Sequence, residues 1–194
     1  MAVRLSRKFY GTPVSRIFDP DVHSVEDAYT DDYTGCRMAR GQMAWLVDKA
    51  DRLPEDDPKA MSIRVSAHFT YDEPREVGAV LCGCTEDVAP TRFAHDGKPV
   101  LLLQYQDTIP VMPQANPRLS TPLQCPDVKI VCKVRSDFSD IPVSKFPRMR
   151  NPKTGKAYFE VDFQLEANFK GGELNWRLLW KGQEWGCTTV SFDD

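Results

Sequence analysis

The chain is 194 residues long. That is about one domain at roughly 150 residues each, long enough to bury about 70% of its unfolded surface without staples. Apolar residues make up 41% and charged residues 27%, which excludes a disordered chain, and a net charge of −3 excludes a global positive field for holding nucleic acid phosphates.

The opening is basic, with Arg4, Arg7, Lys8 and Arg16 ahead of the first acid, Asp19. Val3, Leu5 and Tyr10 make this stretch an edge strand with solvated charges rather than a transit peptide. The segment 19–35 carries Asp19, Asp21, Glu26, Asp27, Asp31 and Asp32. Its spacing does not follow the calcium-loop pattern, so it reads as a solvated acidic loop. Met43, Leu46, Val47, Ala50 and Leu53 then follow helical spacing between Gly41 and Pro54. Met61 to Tyr71 alternates as a strand, and Val77–Cys84 and Val100–Tyr105 are short apolar runs of strand length. Residues 107–126 hold five prolines, at 110, 113, 117, 122 and 126, and form a crossover that cannot lie inside a sheet. Val128, Ile130, Cys132 and Val134 alternate again.

The clearest signal comes last. Ala157, Phe159, Val161, Phe163, Leu165, Ala167 and Phe169 take every odd position, with Tyr158, Glu160, Asp162, Gln164, Glu166 and Asn168 between them. Period two over this length is one long strand with a dry face and a wet face. Gly171-Gly172 suits a hairpin, and Leu174, Trp176, Leu178 and Trp180 resume the rhythm. Lys181-Gly182-Gln183 turns again into a third strand, Trp185–Phe192. With fifteen prolines and eleven glycines punctuating short strands, the fold class expected is all-β, an antiparallel β-sandwich in a single domain over 1–194.

No catalytic constellation emerges. There is no G-x-S-x-G elbow, no H-E-x-x-H, no phosphate loop and no dinucleotide fingerprint. The run Asn151-Pro152-Lys153-Thr154-Gly155-Lys156 lacks the first glycine of a phosphate loop. Glu160, Asp162 and Glu166 are explained as the solvent side of a half-buried strand. Lys145, Arg148, Arg150, Lys153 and Lys156 form a basic stretch that reads as a solvated loop. Six cysteines, at 36, 82, 84, 125, 132 and 187, are too sparse for a disulfide scaffold. Cys82-Gly83-Cys84 lacks a second ligand pair, and His23, His68 and His95 stand apart from it. The expectation is therefore no metal, no cofactor and a reducing, cytoplasmic setting. No apolar run approaches the roughly 18 residues of a membrane span, so no membrane role is expected.

The order of the pieces resembles a known family. Tyr10-Gly11-Thr12-Pro13-Val14 is similar to the start of the substrate-binding β-domain of the seventy-kilodalton heat-shock chaperones. Leu46-Val47-Asp48-Lys49-Ala50-Asp51-Arg52-Leu53-Pro54 resembles a strand and loop of that domain, and Phe163–Trp176 with Gly171-Gly172 resembles its late hairpin. Gln42-Met43-Ala44-Trp45-Leu46-Val47, Arg150 through Tyr158, and Gly182–Phe192 are similar to divergent, fungal-type heat-shock-seventy-like proteins. The resemblance runs from about Tyr10 to Phe192. It implies strand plus loop, not helix, for Met43–Pro54. It also implies a sandwich whose loops form a cleft for an extended apolar peptide, lined by Val14, Ile63, Val65, Val80 and Cys82. The family carries an actin-like ATPase domain ahead of this region and a helical lid behind it, and the 194 residues match neither. The function expected is thus non-catalytic binding of extended or unfolded polypeptide, with an ATPase encoded upstream or supplied in trans as a partner. The rival is a structural or protein-interaction domain with no working cleft, which the long acidic and proline-rich segments favour.

Overall fold

The computed structural model describes residues 5–53, 61–93, 128–170 and 173–191. Their strands are β1 (Phe9–Ile17), β2 (Ala28–Thr30), β3 (Arg37–Val47), β4 (Ser62–Phe69), β5 (Glu76–Cys84), β6 (Val128–Asp137), β7 (Arg148–Arg150), β8 (Ala157–Lys170), β9 (Glu173–Trp180) and β10 (Gln183–Ser191). One sheet runs β2-β3-β1-β5-β6, and the other runs β10-β9-β8-β4 with β7 paired to the start of β8. All pairings between these strands are antiparallel. The architecture is the expected all-β sandwich.

The core follows from the alternation in β8. Val161, Phe163, Leu165, Ala167 and Phe169 are buried, as are Leu174, Trp176 and Leu178 of β9. They meet Tyr10, Val47, Val77, Ala79, Leu81, Cys132 and Val134 from the inner face of the first sheet. An aromatic group closes one end: Phe138 stacks near Trp185 at 5.0 Å and Trp180 at 5.6 Å, and Phe146 lies 5.1 Å from Phe69. The β9–β10 hairpin turns on two residues of positive φ, Lys181 at 51° and Gly182 at 79°. Two such residues give the twist that matches right-handed strands.

The first sheet is covered on both faces. Phe9, Met43, Val80, Cys82, Cys84, Phe93 and Val128 form a second apolar cluster on its outer side. The segment after β5 covers part of it, with the Trp45 indole donating to the Pro90 carbonyl at 2.8 Å and the Phe93 amide donating to the Gly41 carbonyl at 2.8 Å. Double cover explains why Val77–Cys84 reads as a continuous apolar run rather than an alternation. A register shift between β5 and β6 sets Leu81 opposite Cys132 but Cys82 opposite Ile130, so Val131 is an inserted residue. The bulge reverses facing along β6. Cys132 and Val134 enter the main core, while Val128 and Ile130 serve the outer cluster.

Several expectations are corrected. The segment 19–35 is not loop throughout. It contains a short 3-10 turn, Val25–Asp27, and β2, which pairs with β3. The helical spacing of Met43–Leu53 builds no helix: β3 runs to Val47 and a turn follows, as the resemblance implied. Glu166 is not on a wet face. It is 3% exposed and its carboxylate accepts from the Arg177 guanidinium at 2.8 Å. Tyr158 is buried too, beneath the rings of Tyr33 and His68. Val100–Tyr105, the 107–126 crossover and the Gly171-Gly172 hairpin lie outside the described residues.

β10 approaches β6 tightly at Gly186, where an added Cβ would lie 2.7 Å from the Arg135 carbonyl oxygen and 2.7 Å from the Ser136 hydroxyl. Backbone cannot yield there as a flexible side chain would. Gly186→Ala should therefore cost about 1–3 kcal/mol through overpacking, read as a lower urea midpoint with an unchanged slope. A midpoint equal to that of the parent chain would show that β10 does not bear on β6 this closely.

Candidate functional site

A bulge aims the edge of the first sheet. Val14 faces Gln42 and Arg16 faces Ala39, so the single residue Ser15 opposes both Arg40 and Gly41. Gly41 supplies the positive φ of 64°. Bulges bend strands and increase their twist. The tip that follows β2 packs on the outer face of the second sheet, its Tyr33 ring against His68 of β4 and Tyr158 of β8.

The tip is anchored. The Tyr33 hydroxyl donates to Glu73 at 2.9 Å. The Asn151 side-chain amide donates to the Asp32 carbonyl at 3.0 Å, and the Lys153 ammonium donates to the Gly35 carbonyl at 2.7 Å. The Tyr33 ring lies 5.6 Å from His68 and 5.8 Å from Tyr158. Asn151 is itself held, its side-chain oxygen accepting from the amides of Lys153 at 2.8 Å and Thr154 at 3.0 Å. The Asn151–Lys156 turn is thus an anchor for the tip.

Between this arm and the second sheet runs an open groove of about 1010 Å³. That is the upper end of the roughly 300–1,000 Å³ of small-molecule sites, so it has room for a short peptide. Val14, Ile17, Met38, Ile63, Val65, Phe163 and Leu179 supply apolar surface. Arg16, Arg64 and Lys181 line it alongside Asp31, Glu160, Asp162 and His68. His68 and Glu160 approach to 3.1 Å. Burial raises the Asp162 carboxyl above its ordinary pKa, and neighbouring Glu160 adds to this against the opposing pull of His68 and Arg64. Among the described residues no group of three or more His, Cys, Asp or Glu is placed to hold a metal ion.

Three of the five residues expected to line a cleft meet here: Val14, Ile63 and Val65. Val80 and Cys82 do not. They belong to the outer cluster, because the inner-facing positions of β5 are Val77, Ala79 and Leu81. Sequence reasoning also missed Ile17, which is 74% exposed, and the acids and cations of the arm. Ile17 carried a signal: it is an apolar residue at the point where β1 leaves the core and Asp19 begins the acidic stretch. The polar lining carried none, because sequence does not say that the arm folds over β4.

The thiols separate in the same way. Burial pushes Cys82 up to about 12, with Cys132 adding to the shift. Burial likewise pushes Cys132 up to about 12. Cys36 and Cys187 are exposed, and Cys187 is raised chiefly by partial burial. Since the thiolate is the reactive form, an aromatic disulfide reagent at pH 8 should, among the cysteines of the described residues, label Cys36 first and Cys187 more slowly. Cys82, Cys84 and Cys132 should react only on unfolding. Peptide mapping by mass spectrometry reads the order, and fast labelling of Cys82 would refute the outer cluster.

Among the described residues no helix is long and apolar enough to cross a membrane. No family model matches the chain, and neither a curated protein nor a solved structure matches it.

Proposed function

We propose that the chain is a non-catalytic binding domain that holds an extended, apolar stretch of polypeptide in the groove beneath the arm. The observation that carries this reading is the composition of the groove. It gathers apolar side chains from β1, β3, β4, β8 and β9 at an open surface, and among them Ile17 is 74% exposed. An exposed aliphatic residue costs nothing to fold stability when a partner covers it, and it gains its transfer energy on binding. Each buried side chain supplies about 1.5–3 kcal/mol. Two or three of them, less the ordering cost of the ligand, give an affinity in the micromolar range or weaker. The resemblance to the heat-shock-seventy substrate-binding β-domain points to the same ligand class. The proposal adds an actin-like ATPase as partner, from that resemblance, and a cytoplasmic setting, from the sparse cysteines.

The rival reading, an interaction domain without a working cleft, is favoured by one observation: Val80 and Cys82 are filled by the protein's own second cluster. The two readings separate in solution. A fluorescein-labelled leucine-rich heptapeptide should bind saturably by anisotropy, with a dissociation constant of micromolar order. Ile17→Glu should weaken it about tenfold, since losing one aliphatic contact is worth ~1.5 kcal/mol. Val88→Glu, at a site 81% exposed and outside the groove, should leave it unchanged. Absence of saturation up to millimolar peptide, or equal effects of the two variants, overturns the peptide-binding reading.

A further inference from the structure

We infer that the ligand binds by strand addition: an extended segment with apolar residues at alternate positions pairs through its backbone with the edge of β4 between Ile63 and Ala67. The inference rests on the peptide-binding reading and commits it to a mode and a ligand pattern. Among the described strands β4 pairs with β8 alone, in unbroken register from Ser62 opposite Glu166 to Phe69 opposite Phe159. From Ile63 to Ala67 its other edge faces no described strand, and Ile63, Arg64, Val65 and Ser66 line the groove. In a two-sided ladder alternate residues turn their N–H and C=O groups outward. The edge of β4 is therefore a regular row of donors and acceptors set in a groove. The register of β1 shifts between Val14 and Arg16, whereas β4 keeps an unbroken register, which makes β4 the more regular template.

The side chains of β4 state what the added strand must carry. Ile63, Val65 and Ala67 face the core side of the sheet, and Arg64, Ser66 and His68 face the outer side. A strand laid beside them alternates in the same way. Its apolar residues pack beside Ile63, Val65 and Val14, and its polar residues lie beside Arg64 and Ser66. The charges of the lining cancel: Arg16, Arg64 and Lys181 against Asp31, Glu160 and Asp162. No net field selects for ligand charge, so selection resides in the backbone and in the alternation. Proline within the paired segment removes a donor and is excluded.

The test uses the full chain and a labelled heptapeptide of alternating threonine and valine. Two twins carry N-methyl groups, one on the valine amides and one on the internal threonine amides. Strand addition expects one twin to bind like the parent peptide and the other to lose at least about tenfold, the lower end for three net hydrogen bonds. On the protein, alternate amides between Ile63 and Ala67 should exchange more slowly with peptide bound. Affinity should change less than about twofold between 50 and 500 mM salt. Equal binding of the two twins, unaltered exchange at β4, or a steep salt dependence overturns the inference. If the leucine-rich peptide binds and the alternating one does not, strand addition fails alone. If neither binds, the peptide-binding reading fails with it.

Discussion

Burial of the odd-numbered face of β8 is the contact on which the other elements depend. A fourteen-residue strand with Val161, Phe163, Leu165, Ala167 and Phe169 on one side must have that side covered. β9 extends the same face with Leu174, Trp176 and Leu178, and β4 adds Ala67 and Phe69. At about 25 cal/mol per Å² of apolar surface, this is the largest favourable term available to the chain. The first sheet supplies the cover, and its position is set at the opposite corner, where Gly186 lets β10 approach the backbone of β6. β4 is left at one edge of the second sheet, where residues of β1 and the arm line the groove with it. The groove is the consequence of closing the sandwich at one side and wrapping it at the other.

The wrap has its own energetic logic. The tip of the arm buries one large ring, Tyr33, which is 4% exposed and packs against His68 and Tyr158. Hydrogen bonds from Tyr33, Asn151 and Lys153 add to that contact. Hydrogen bonds of this kind contribute about 0.5–1.5 kcal/mol each, against the tens of kcal/mol of gross burial between the sheets. The arm is held outside the main apolar cluster, which does not include Tyr33. It also forms one wall of the groove.

The sequence discloses the long periodicities and hides what crosses between distant segments. β8 and β9 are legible because alternation depends on neighbours two residues apart. The helical spacing of Met43, Leu46 and Val47 misleads for a definite reason. Tyr10 faces Val47 while Gly11 faces Trp45, so Leu46 is an inserted residue that resets the facing of β3. An insertion in a period-two pattern mimics a three-four spacing. Glu166 and Tyr158 read as wet because alternation marks a second face without saying what covers it. Here Arg177 and Tyr33 do so from positions 11 and 125 residues away in the chain. Val80 and Cys82 fail for the complementary reason. A continuous apolar run places residues on both faces of its sheet, and nothing local says which face adjoins a cleft.

An open strand edge is a liability, since it can template pairing with any exposed strand. Among the described strands β4 has such an edge from Ile63 to Ala67. Two features blunt it: β4 is only eight residues long, and the exposed Arg64 sits near its middle. Short length and charged side chains are how natural edges resist edge-to-edge pairing. Strand addition, as proposed, would therefore favour one extended segment over a second sheet, because a segment of a few residues needs no more than the pairing positions from Ile63 to Ala67.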